Sequence, residues 1–166
     1  MTLKCSECGA IREKRRTTAR APYHYVLSGL PNVYLVGIEL ARCPNGHGDA
    51  PIIPRMGPLH RAIAKSLIDK PAPLTGDEVR FLRKHAGIAA NDFAAQLRIT
   101  KHTLSRIENG AQKMGPMADK LTRAIAAAAA EMSEARAVLL SGDVGEGKAK
   151  ARIVLEATPR GWREAA

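Results

Sequence analysis

The chain has 166 residues, 26 Lys+Arg against 16 Asp+Glu, and a formal charge of +10. Hydrophobic residues make up 45% and aromatic residues only 4%, so a core can form and must lean on aliphatic residues and alanine. That composition excludes disorder throughout, and no apolar run approaches the roughly 20 residues that span a bilayer.

The charge is uneven. Residues 1–70 carry eleven basic and five acidic residues, densest at Arg12, Lys14, Arg15, Arg16 and Arg20. Such an excess points to a polyanionic partner, nucleic acid first. The opening MTLKCSECGA has no apolar signal region, so a cytoplasmic location is expected.

Segment 1–70 ends at Pro71-Ala72-Pro73, which reads as a short stiff linker over 71–73. Tyr23–Leu27 and Val33–Leu40 are rich in β-branched and aromatic residues around a turn-forming stretch at 28–32, which predicts a β-hairpin. Leu59, Ile63 and Leu67 recur at helical spacing and predict a short helix over Leu59–Ile68. A module this small holds too little core to fold comfortably alone.

All three cysteines lie here, as Cys5-Ser-Glu-Cys8 and Cys43-Pro-Asn-Gly-His47. A C-x2-C knuckle with a C-x3-H offers three sulfurs and one nitrogen, a tetrahedral structural zinc set of one ion per chain. Metal binding would supply the folding free energy that the small core lacks. The alternatives are a Cys5–Cys8 disulfide and a redox C-x-x-C; the latter needs a βαβ context that does not follow. His24 and His60 compete with His47 for the fourth position. Catalytic zinc is the weakest of these readings, because no acid/base residue stands out nearby, and no enzyme is expected.

The C-x2-C, the run Tyr23–Ile38, Cys43, Ile53-Pro54 and Leu59-His60 resemble the YgiT-type zinc finger that forms the N-terminal half of MqsA-type antitoxins. In that family a C-x2-C-G closes the module; here Gly46 holds the fourth-cysteine position and His47 would substitute. The resemblance implies a bacterial, nucleoid-associated protein with a ribonuclease toxin as a partner that the zinc module binds and masks, DNA binding serving autoregulation.

Segment 74–140 reads as helical. Thr75-Gly-Asp-Glu78 is a capping box ahead of a helix over Asp77–His85 that Gly87 ends. A second helix, Asn91–Leu97, presents Phe93, Ala94 and Leu97, and Thr100 caps a third, Lys101–Glu108, which buries Leu104 and Ile107. Two short helices joined by a tight turn form a helix-turn-helix, whose second helix enters the major groove. Lys101, His102, Ser105 and Arg106 lie on the face opposite Leu104 and Ile107. Arg106 can bond guanine O6 and N7, His102 can reach a base acceptor, and Thr100, Lys101 and Thr103 suit phosphates.

Ile88, Phe93-Ala94, Leu97, Ile99-Thr100, Thr103–Arg106 and Glu108-Asn109-Gly110 closely resemble the Xre/Cro family. Ala90 replaces a common glutamine. Arg98 replaces the usual turn glycine, which asks a non-glycine residue for a left-handed conformation. The resemblance to MqsA-type antitoxins places His102 and Arg106 at base-reading positions.

Pro116 opens a long helix to about Leu140, with an apolar stripe of Met117, Leu121, Ile125, Ala128, Met132, Ala135 and Leu139. Part of that stripe reads as core and part as the contact of a homodimer on a palindromic operator. Segment 141–166 reads as a flexible loop and tail with one strand, Arg152–Leu155, whose partner the sequence leaves open. Its Gly142–Lys148 run nearly spells a P-loop, yet Ala149 stands where a Ser or Thr would hold magnesium.

The expected fold is α+β: a small zinc-bound β-hairpin module, then an all-α lambda-repressor-like helix-turn-helix domain. The expected function is a sequence-specific DNA-binding transcriptional regulator, a repressor of its own operon. The alternative is an antitoxin whose main role is neutralising a ribonuclease toxin. No membrane partner is expected.

Overall fold

The turn at 28–32 forms as its composition predicts. In the computed structural model, which describes residues 3–130, 147–148 and 150–165, Gly29 sits in the left-handed region at φ 76°. Ser28 Oγ donates to the Tyr25 carbonyl at 2.7 Å and accepts from the Leu30 amide at 3.2 Å. The flanking strands, β2 (Tyr23–His24) and β3 (Val33–Val36), pair antiparallel with Tyr23 opposite Leu35. Beside them, β1 (Glu13–Arg16), β4 (Glu39–Arg42) and β5 (Asp49–Ile52) make a second, three-stranded antiparallel sheet in the order β1-β4-β5. Thr17 joins the two ladders: its hydroxyl donates to the Ile38 carbonyl and accepts from the Ile38 amide, both buried.

Helix α1 (Met56–Ile68) starts three residues before the predicted Leu59 and buries Leu59, Ile63 and Leu67 completely. Then follow α2 (Gly76–His85), α3 (Ala90–Gln96), α4 (Lys101–Glu108) and α5 (Pro116–Ala129). Val79, Leu82, Phe93, Leu104 and Ile107 interlock α2, α3 and α4 and join one hydrophobic core with Leu35 and Ile63. No helix among the described residues is long and apolar enough to cross a membrane.

The tail holds a finding that the sequence left open. The predicted strand is the start of β6 (Ile153–Thr158), and a turn returns the chain as β7 (Gly161–Glu164), a strand not anticipated. The partner of β6 is β3: Val33–Val36 run parallel to Ile153–Glu156, giving a sheet ordered β2-β3-β6-β7. Helix α1 packs on β6 and β7, so Ile153 and Leu155 are buried. Residues 153–164 are therefore sheet, not loose tail; the Gly142–Glu146 part of the P-loop-like run lies outside the described residues.

Helix α5 differs in register from the predicted stripe. Its buried side is Asp119, Thr122, Arg123, Ala124, Ala126 and Ala127, whereas Leu121 and Ile125 pack on the core half-buried, as the part of the stripe read as core, and Met117 and Ala128 are exposed. Hydrophobicity misleads because the deepest contact is ionic. Arg123 Nε donates to Asp119 Oδ1 at 2.7 Å, and both residues are under 5% exposed. The predicted Met132, Ala135 and Leu139 lie outside the described residues.

Candidate metal centre and nucleic-acid interface

Two tight turns bring the four predicted metal ligands together. In the first, the Cys5 amide donates to the Ala10 carbonyl at 2.8 Å and the Gly9 amide to the Cys5 carbonyl at 2.9 Å, with Gly9 left-handed. In the second, the Gly46 amide donates to the Cys43 carbonyl at 3.1 Å. Gly46 and Gly48 both sit at φ 81°, which lets His47 turn back toward Cys43. Only a residue without Cβ adopts such angles freely.

The ligand atoms of Cys5, Cys8, Cys43 and His47 lie within 4.8 Å of one another. Cys8 Sγ is 3.6 Å from Cys43 Sγ, and His47 Nδ1 is 3.6 Å from Cys43 Sγ and 3.8 Å from Cys5 Sγ. A tetrahedral ion with bonds of about 2.3 Å to sulfur and about 2.0 Å to nitrogen needs edges of about 3.5–3.8 Å. The set fits a four-coordinate metal, and all three cysteines are free thiols. The two competing histidines lie elsewhere: His24 bonds the Pro31 carbonyl and stacks on Tyr34, and His60 meets the Tyr25 hydroxyl at 3.1 Å.

Electrostatics favour thiolates at Cys5 and Cys8, whereas burial pushes the Cys43 thiol up. The Ala10 backbone amide and then the Asn45 side-chain amide pull the Cys8 thiol down to about 6; Asn45 Nδ2 donates to its sulfur at 3.4 Å. Hydrogen bonds to Cys8 and Cys5 raise the His47 imidazole.

Arg12 is a functional residue that sequence reasoning misplaced. Counted there as part of a basic run suited to a polyanionic partner, it is half-buried. Its guanidinium donates to the Ala41 and Gly48 carbonyls at 3.1 and 2.9 Å and to Cys5 Sγ at 3.5 Å. It ties both knuckles to the sheet and sets a positive charge beside a sulfur. Lys14 pairs with Glu39 and Arg16 bonds the Gly37 carbonyl, so much of the run serves the module itself.

The second region is built by caps. Thr75 and Glu78 form the predicted capping box of α2, the Thr75 amide donating to Glu78 Oε2 at 2.7 Å. Thr100 Oγ1 accepts from the Thr103 amide at 3.0 Å and so starts α4. In the turn between α3 and α4, Arg98 adopts φ 54°, the left-handed conformation expected of it.

Leu104 and Ile107 anchor α4, and Lys101, His102, Ser105 and Arg106 are exposed on its other face, with Thr103 half-buried. Thr100 Oγ1 also lies 2.9 Å from Thr103 Oγ1, so the two hydroxyls share a hydrogen bond at the start of α4. At the far end of α4, Glu108 is 8% exposed and accepts from Arg83 at 2.6 and 3.1 Å. This bidentate pair fixes α4 against α2, a role the sequence did not disclose because the partners are 25 residues apart.

Residues 75–135 match the family model for a helix-turn-helix domain. No curated protein and no solved structure matches the chain. The match coincides with the segment from the α2 cap onward, and a helix-turn-helix domain points to a DNA-binding regulator. The Cys3His cluster lies N-terminal to it, in a region built mainly of strands.

Proposed function

We propose that this protein is a sequence-specific repressor of the Xre type that reads DNA through α4 and is stapled by one structural zinc. One observation carries the reading: α4 is anchored by Leu104 and Ile107 and exposes Lys101, His102, Ser105 and Arg106 together on its outer face. Inserted in the major groove, that face sets Arg106 against guanine O6 and N7 and His102 against a neighbouring acceptor. Thr100, Lys101 and Thr103 then hold phosphates and fix the register.

Zinc suits Cys5, Cys8, Cys43 and His47 because thiolate and imidazole are borderline-soft donors. Bound there, it supplies cross-linking of the two knuckles; with four protein ligands, no position stays open for a substrate. The division proposed is a metal-stapled module over 1–70, a linker at 71–73, a DNA-reading domain over 74–140, and the segment 141–166.

A homodimer on a palindromic operator completes the proposal, using the α5 edge where Met117 is 78% exposed beside half-buried Leu121 and Ile125. The resemblance to MqsA-type antitoxins supports autoregulation in a bacterial cytoplasm. Masking of a toxin rests on that resemblance alone. Footprinting of the chain on its own promoter tests the reading: two symmetric protected half-sites support it, and uniform, sequence-independent protection refutes it.

A further inference from the structure

A cavity of about 350 Å³ opens between α1, the β6–β7 hairpin and the segment that leads into α2. Its apolar wall comes from Ala62 on α1, Pro71, and Ile153, Leu155 and Trp162 on the hairpin. That volume lies in the range of small-molecule sites, which combine an apolar lining with a few placed polar groups.

The polar groups come as charge pairs. Lys65, Lys70, Lys150 and Arg163 line the cavity with Asp69, Glu78 and Glu164, and Arg163 is held by Glu156 at 2.6 and 2.9 Å. Each of those carboxylates already meets a lysine: Asp69 pairs with Lys65, Glu78 with Lys70 at 2.7 Å, and Glu164 with Lys150 at 2.6 Å. An ammonium has three donors, and Lys70 and Lys150 each give one to these carboxylates. An entering anion therefore finds the remaining ammonium donors of Lys70 and Lys150.

Lys70 also connects the cavity to the helix-turn-helix. Its side chain is 10% exposed, and the Glu78 Oε2 that it holds is the oxygen that caps α2 through the Thr75 amide. Drawing Lys70 toward a ligand loosens its hold on that cap.

We infer that this cavity binds a small amphipathic organic anion, apolar body against Trp162 and Leu155 and acid group at Lys70 and Lys150, and that occupancy is felt at the α2 cap. The binding site stands without the DNA-binding reading; its use as an effector site rests on that reading.

Trp162 is the chain's one tryptophan, so its emission reports the cavity directly. The full metal-loaded chain is titrated with phenylbutyrate and with phenylbutanol, which shares the apolar body and lacks the charge. Phenylbutyrate is expected to give a saturable change in emission and to bind about tenfold more tightly than the alcohol, as a charge-assisted hydrogen bond implies. It is also expected to shift the Thr75 amide resonance. Ala62→Phe, which fills the cavity, should abolish the response. Lys150→Ala, at an exposed position that leaves the fold intact, should weaken the acid and spare the alcohol. No saturable change, equal affinity for acid and alcohol, or acid binding unaffected by Lys150→Ala overturns the site. An unmoved Thr75 resonance on saturation overturns the coupling. Neither readout involves DNA, so failure here is separable from failure of the repressor reading.

Discussion

Arg123 and Asp119 form an ion pair at 2.7 Å inside the molecule, and between them they bind the whole junction that leads from α1 to α2. Arg123 donates to the carbonyls of Leu67, Ile68, Lys70 and Ala72, and Asp119 Oδ2 accepts from the Leu74 amide at 2.6 Å. A proline-rich connection that reads as a spacer is thereby tied to α5, and the strand-rich module and the helices share one core.

Arg123→Met removes the guanidinium and leaves Asp119 as an uncompensated buried charge among several orphaned carbonyls. Breaking a buried pair from one side costs about 3–5 kcal/mol. Urea unfolding should show a loss of that size, and a midpoint within error of wild type would refute the clasp.

Gly76 is the first residue of α2, and a Cβ there would overlap the Ile107 carbonyl oxygen and lie 2.9 Å from that of Glu108. Gly76→Ala must push the C-terminal end of α4 away. Overpacking of this kind costs about 1–3 kcal/mol. Gly57→Ala in α1, where a Cβ meets nothing within 4 Å, is the matched control and should not destabilise. Equal melting of the two variants would overturn the contact.

Arg106→Ala should cost about 1–3 kcal/mol in operator affinity and relax preference at one base position, with thermal stability unchanged. Lys101→Ala should weaken binding evenly across sequences and reduce the salt slope by about one. Competition gel shifts separate the two patterns; unaltered sequence preference in Arg106→Ala would remove α4 from the reading.

One metal ion per chain is expected by elemental analysis, and cadmium-substituted protein should show charge-transfer absorption from three thiolates. Cys43→Ser, or chelation, should destabilise the strand-rich module, because a bound metal would cross-link its two knuckles. Arg12→Ala should retain the ion and weaken its hold. Full stability without metal would end the staple.

Burial holds the His60 and His85 imidazoles below their usual 6.5. The unfolded chain takes up these protons first on acidification, so stability is full above 6.5 and declines as pH falls below it. His85→Phe should flatten that decline relative to wild type between about pH 7 and 5. An identical pH profile of urea midpoints would show that His85 does not contribute.

Local chemistry is legible in the order of the residues. The Thr75–Glu78 capping box, the Thr100 cap, the left-handed Arg98 and the turn at 28–32 each rest on residues within a few positions of one another, where dihedral preference and side-chain reach decide the outcome. The Cys3His cluster is legible for a related reason: ligand type and knuckle spacing name its four residues without the distance between the halves. Arg12 is not, because a guanidinium in a basic run looks like surface charge until Ala41 and Gly48 turn their carbonyls to it.

Sequence alone, then, determined the helices, the strands that flank the 28–32 turn, where the caps fall and which side chains could hold a metal or face DNA, but not β1, β5 or β7. Tertiary structure alone decided that β6 returns to lie beside β3, that α5 buries Arg123 while Leu121 and Ile125 stay half-buried, and that Glu108 locks α4 to Arg83. The physical reason is the same in all three cases. Pairing between distant segments is settled by which carbonyls, charges and apolar faces meet in space, and hydrophobic periodicity carries no record of a partner that lies elsewhere in the chain.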